Sequence, residues 1–137
     1  MIEKLVIYTD GGARGNPGPA ASAAIIQNEA GEIVSTAHLY LGKTTNNQAE
    51  YQGVIIALKE AKKLGAKELN FFLDSELVVK QLIGEYRVKD SDLQKLFQEI
   101  LSLSVGFKKI TYQHIPREKN KLADKLVNEI LDKELKI

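Results

Sequence analysis

Apolar residues along this chain recur in two rhythms, and the alternation between them lays out its elements. Leu5 to Thr9 reads as a strand. Ala20 to Gln27 and Glu32 to Leu41 read as two more strands, joined at Asn28-Glu29-Ala30-Gly31 as a hairpin. From Thr45 the period lengthens. Glu50, Val54, Ala57, Ala61 and Leu64 fall at steps of four and three residues, the stripe of a helix lying on a sheet. Thr45 and Gln48 have the spacing of a capping box at its start, and Gly65 marks its stop. Leu69 to Leu73 is a short apolar strand, after which Ser75 can cap a helix over Glu76 to Ile83 that ends at Gly84. Further helices are expected over Ser91 to Leu103 and from about Asn120 to Leu135, with a strand at Lys109 to Ile115 broken by Pro116.

The resulting order is β-β-β-α-β-α-α-β-α. Three sequential strands joined by short connections pair antiparallel, and the strand–helix–strand crossovers that follow require parallel additions. The expected class is α/β: a mixed sheet with helices packed on it, forming one domain over residues 1–137.

Composition narrows the function without naming it. The chain is 44% hydrophobic and 27% charged, ordinary values for a globular domain. It lacks an apolar run of membrane-spanning length, and Met1 to Leu5 enters a strand without a signal-peptide pattern. The expected setting is cytoplasmic, away from membranes, and the expected state is a monomer. The absence of cysteine excludes disulfides and thiolate metal sites. Nineteen Lys and Arg against eighteen Asp and Glu leave a net charge of +1, which does not announce a nucleic-acid binder.

Four carboxylates stand out against this background. Asp10 closes the first strand and Asp74 the fourth, where ligands gather beyond the ends of parallel strands. Glu50 begins the sheet-facing stripe of the first helix. Asp124 shares a face with Val127 and Leu131 on the last. Any one of them alone reads best as a solvated residue or a cap. Together they could converge, and converging carboxylates repel unless a cation joins them. Mg²⁺ takes oxygen ligands, and two such ions about 4 Å apart support phosphoryl chemistry.

The residues around these acids are those of a known family. Tyr8-Thr9-Asp10-Gly11-Gly12 with Gly15-Asn16-Pro17-Gly18, Thr45-Asn46-Asn47-Gln48-Ala49-Glu50, Leu73-Asp74-Ser75, and His114 ten residues before Asp124 occur in order along nearly the whole chain. In these motifs the chain resembles type 1 ribonucleases H. The resemblance implies a ribonuclease H-like mixed five-stranded sheet. It also implies metal-dependent hydrolysis of the RNA strand of RNA–DNA hybrids, leaving 5′-phosphate and 3′-hydroxyl ends. It makes Asp10, Glu50, Asp74 and Asp124 ligands of two Mg²⁺, with Mn²⁺ as the alternative, and places His114 beside them. Gly11, Gly12, Arg14, Asn16, Thr45, Asn46, Asn47 and Ser75 become the candidate substrate contacts. Only Glu85-Tyr86-Arg87-Val88-Lys89-Asp90 stands where larger members insert a basic helix and loop, and no hybrid-binding module precedes the first strand, so a short form is expected. Glu76 stands where some relatives carry Gln.

Other readings compete. The glycine-rich segment Gly11 to Pro19 could be only a hairpin connection. Leu41-Gly42-Lys43-Thr44 is not a phosphate-binding loop, because Ala37 holds the place of its first glycine. His38 has no acidic motif nearby and reads as structural or exposed. The lysines 119, 121 and 125 read as a solvated face. Tyr86 is open between a core role and a stacking platform. His114, ahead of Pro116, is expected on a movable loop suited to proton transfer. Among functions, the alternatives are a nuclease acting on DNA or duplex RNA, a non-catalytic nucleic-acid-binding module, and an Asp-nucleophile phosphatase. Gly12 removes the second Asp the last would need. Asn46 and Asn47 favour RNA, since discrimination of the 2′-OH requires such side chains.

Overall fold

The computed structural model describes residues 3–136; the expected strand entry at Met1 and Ile2 lies outside them. Five strands form one sheet in the order β3-β2-β1-β4-β5. β1 (Lys4–Ala13), β2 (Gly18–Gln27) and β3 (Ile33–Thr44) pair antiparallel, while β4 (Glu68–Leu73) joins β1 and β5 (Lys109–His114) joins β4 in parallel. The mixed five-stranded sheet is thus the expected one.

Helices cover both faces. α1 (Asn46–Lys63) buries Val54, Ala57, Leu58 and Ala61 against Leu5, Ile7, Leu69 and Phe71. This is the main core, and α2 (Glu76–Leu82) and α3 (Ser91–Ser104) add Val78, Val79, Leu93 and Ile100 to it. The opposite face carries α4 (Lys121–Leu135), whose Val127, Ile130 and Leu131 pack on Ala21 and Ala23 of β2. The small side chains of β2 let that helix approach closely. The α2–α3 connection is residues 83–90 with no added helix, as expected for a short form. No helix among the described residues is long and apolar enough to cross a membrane.

Three local expectations are corrected. β1 does not stop at Thr9, nor is Gly11 to Pro19 a loop. The strand continues to Ala13, pairing Asp10 with Ala23 and Ala13 with Ala20, so Asp10 lies within it. The ladder to β2 pairs one edge of this backbone, side chains accept the Gly11 and Ala13 N–H groups on the other, and Gly11 is required by close packing: a Cβ there would lie 2.2 Å from the Ala49 carbonyl group. The loop shrinks to residues 14–17. His114 is not on a loop; it is the last residue of β5, paired with Leu73. Between Pro116 and α4 the chain makes a short 3-10 turn, Arg117–Lys119, that the pattern did not reveal.

Candidate active site

The acidic cleft forms where β1 outruns its parallel neighbour. The last β1–β4 pair is Tyr8 with Phe72, and β4 ends at Leu73, so Asp10 extends beyond the shared ladder and Asp74 follows directly after it. α1 starts nearby because Thr45 caps it, its hydroxyl accepting the Gln48 N–H at 3.1 Å. The reciprocal half of the capping box is absent: Gln48 accepts instead from the Thr44 hydroxyl at 2.6 Å. The tight Gly11–Ala49 approach then sets Glu50 against β1. The Gly11 N–H donates to both Asp10 Oδ1 and Glu50 Oε1, each at 2.9 Å. Carboxylate oxygens of Asp10, Glu50 and Asp74 all fall within 4.8 Å of one another.

Burial makes this cluster costly without a cation. Asp10 is 7% exposed and Glu50 6%. Loss of water, with the Asp74 and Asp124 charges adding to it, raises the Asp10 carboxyl from 3.8 to about 6. Burial and the Asp10 charge push Glu50 well above its ordinary 4.5. Glu50 Oε2 is buried with no hydrogen-bond partner. A buried carboxylate with one oxygen lacking a donor, clustered with two more carboxylates, fits a hard divalent cation that prefers oxygen ligands.

The remaining candidates divide by position. Gly11, Gly12, Arg14, Asn46, Asn47, Ser75 and Asp124 line the same open cleft of about 480 Å³ as the three clustered acids. Asp124 stands outside the tight cluster, in the first turn of α4, with Oδ1 3.7 Å from Arg117 Nη2. Arg14 reaches across to α4, where Asp132 lies 2.6 Å from its guanidinium. Asn16 and Thr45 line an adjoining depression. Asn16 Oδ1 accepts the Asn46 N–H at 3.0 Å, and Asn46 Oδ1 accepts the Ala13 N–H at 2.8 Å, tying the β1–β2 turn to the start of α1. Ser75 caps α2 through the Val78 N–H at 3.3 Å.

His114 does not line the cleft. It stands one strand beyond, with Nδ1 3.9 Å from Glu76 Oε2 and its side chain 40% exposed. His38 is exposed on β3. Tyr86 is 48% exposed beneath the Lys80 ammonium, 5.4 Å from its ring centre, so it is not a core residue.

Sequence reasoning missed two residues of the site. Arg117 lines the cleft opposite Asp124. Asn120 donates to Asp74 Oδ2 at 2.9 Å. Its place four residues before Asp124 was the available signal, and it was absorbed by reading Asn120 as the start of a helix.

Comparison with known proteins agrees with this geometry. A family model described as reverse transcriptase-like matches residues 8–130. The chain is 42% identical over 130 residues to the bifunctional protein Rv2228c of Mycobacterium tuberculosis; the match covers 94% of this chain but 36% of that protein, so the chain spans about a third of that relative's length. It is 31% identical over 143 residues to the ribonuclease H of Marinobacter nauticus, covering 93% of this chain and 94% of that one. Among solved structures, LC11-RNase H1 in complex with RNA/DNA hybrid is similar with a TM-score of 0.92 and 43% identity, over 96% of this chain and 99% of that one. The chain belongs to the ribonuclease H family.

Proposed function

We propose that residues 1–137 form one catalytic domain that hydrolyses the RNA strand of RNA–DNA hybrids, leaving 5′-phosphate and 3′-hydroxyl ends. The observation that carries this reading is the meeting of Asp10, Glu50 and Asp74 from three separate segments, with a buried Glu50 oxygen left without a donor. The LC11 relative in complex with RNA/DNA hybrid supports the choice of substrate.

Asp10, Glu50 and Asp74, with Asp124 across the cleft, would hold two Mg²⁺, or Mn²⁺ in their place. Cations so held activate a water and stabilise the leaving oxygen of a phosphodiester. The chain's own groups do the rest. The Gly11 N–H holds one oxygen each of Asp10 and Glu50, which ties the two carboxylates to each other through one donor. Gly12 adds no side chain to the cleft wall, and a phosphate backbone can approach it. Asn46 keeps its Oδ1 on Ala13, which leaves its amide N–H groups for the substrate, and Asn47 stands beside it in the cleft. Amide groups at this rim suit the ribose 2′-OH and base edges. His114, at the end of β5 and paired with the last β4 residue, would serve as a proton carrier for the reaction.

One labelled sequence presented as hybrid, duplex RNA and duplex DNA, each with Mg²⁺, tests the reading. Cutting is expected in the RNA strand of the hybrid. Preferential cutting of duplex DNA would refute the substrate, and faster cutting of duplex RNA would make the hybrid secondary.

A further inference from the structure

Asn120 stands at the N-cap of α4 and is 1% exposed, yet no step proposed above uses it. An asparagine at this position ordinarily turns its side-chain oxygen onto the free N–H groups of its own helix. Here it makes no cap hydrogen bond. Its amide nitrogen instead donates to the Thr9 carbonyl oxygen and to Asp74 Oδ2, each at 2.9 Å. Both partners accept hydrogen bonds, so the nitrogen end of the amide belongs at that point and the orientation is settled. The other end, Oδ1, is buried without a partner. The Asn120 main-chain carbonyl accepts the Asp124 N–H at 3.1 Å.

One residue therefore bonds directly to segments bearing three of the four acids. Asp74 is held by its carboxylate. Asp10 is held through the peptide plane it shares with Thr9. Asp124 is held through the first turn of α4. These segments come from β1, the turn after β4, and α4, and the sheet ladder does not fix all three against one another. Carboxylates this close repel and would swing outward without an opposing contact. We infer that Asn120 is a positioning residue of the acidic site: it holds Asp74 and fixes the spacing of the acids before a cation arrives. The inference rests on the reading above that these acids take up divalent cations.

Two variants separate positioning from simple packing. Asn120→Ala removes the clamp. Asn120→Ser also removes it but keeps a hydroxyl able to cap α4, so the helix is preserved if Asn120→Ala fails to fold. Calorimetric titration of the substrate-free proteins with Mn²⁺, on samples shown to be folded by circular dichroism, reads cation affinity directly. Both variants should bind Mn²⁺ roughly tenfold or more weakly, as expected when a group orienting a ligand is lost. At saturating Mg²⁺ their kcat on hybrid should fall by a similar factor, with KM within about twofold, because the substrate contacts are untouched. Folded variants that match wild-type Mn²⁺ affinity and kcat would overturn the inference and leave Asn120 a packing residue. Wild-type protein that binds no Mn²⁺ would overturn the reading of the site itself, and the inference with it.

Discussion

Asp10→Asn should stabilise the cation-free protein while abolishing cleavage, and the size of the effect follows from the burial of the carboxyl. In the fold the Asp10 carboxyl titrates at about 6 instead of 3.8, chiefly because it has lost water. Two pKa units at about 1.4 kcal/mol each give a penalty of about 3 kcal/mol for keeping the folded group ionised. The folded state holds its proton up to about pH 6 and the unfolded chain only to 3.8, so stability is withdrawn from the wild type as pH rises between these values. Glu50, also raised, acts in the same direction. The asparagine cannot ionise, and its Oδ1 can still accept the Gly11 N–H. The variant's advantage should therefore be near zero at pH 4 and reach a plateau above pH 7. At about 3–5 °C per kcal/mol for a domain of this size, that plateau is on the order of 10 °C in melting temperature. Thermal unfolding in EDTA at pH 4 and pH 8 measures it. Added Mg²⁺ should close the gap, because the wild type gains stability from a ligand the variant binds poorly. A variant that melts below wild type at pH 8, or an advantage equal at both pH values, would refute the argument from burial.

Gly11→Ala should cost more than about 2 kcal/mol in a chemical denaturation series and abolish cleavage, since its Cβ would meet the Ala49 carbonyl group at 2.2 Å and only a shift of α1 relieves it. His114→Ala should lower kcat by roughly ten- to a thousandfold in steady-state assays. Its melting temperature and Mn²⁺ affinity should be nearly unchanged, because the side chain is 40% exposed and stands outside the acidic cluster. Hybrid affinity should be weak and only shallowly salt-dependent, because few phosphates are neutralised at once. With a net charge of +1, a binding series on Asp10→Asn across salt concentrations should give a slope well short of the roughly ten ions expected for an extended basic surface.

The parts of the site legible in the sequence are those written in local patterns. Glu50 was visible because it heads the apolar stripe of α1, and that stripe is buried as its spacing requires. Asp74 was visible because an apolar strand ends just before it and Ser75 caps the helix just after. The strand through Gly11 and Gly12 was hidden for a physical reason. Glycines signal turns locally, whereas here Gly11 admits the backbone of α1, 39 residues away along the chain at the Gly11–Glu50 bond. Asn120 was hidden because its partners lie 111 and 46 residues away, and its spacing to Asp124 alone does not tell a clamp from a cap. The strand ending at His114 was legible, but Pro116 suggested a movable loop that the pairing of His114 with Leu73 rules out. In each case short-range periodicity was a good guide until a long-range contact overrode it.

The most direct measurement is RNA-strand cleavage of a hybrid, with each strand carrying its own label, followed as Mg²⁺ is titrated into the EDTA-treated protein. A metal site made by the clustered carboxylates of Asp10, Glu50 and Asp74, in an RNA–DNA hybrid nuclease, predicts no cleavage in EDTA, recovery as Mg²⁺ rises, and cuts confined to the RNA strand with 3′-hydroxyl ends. Cleavage that persists in EDTA, or cuts in the DNA strand at comparable rate, would contradict it.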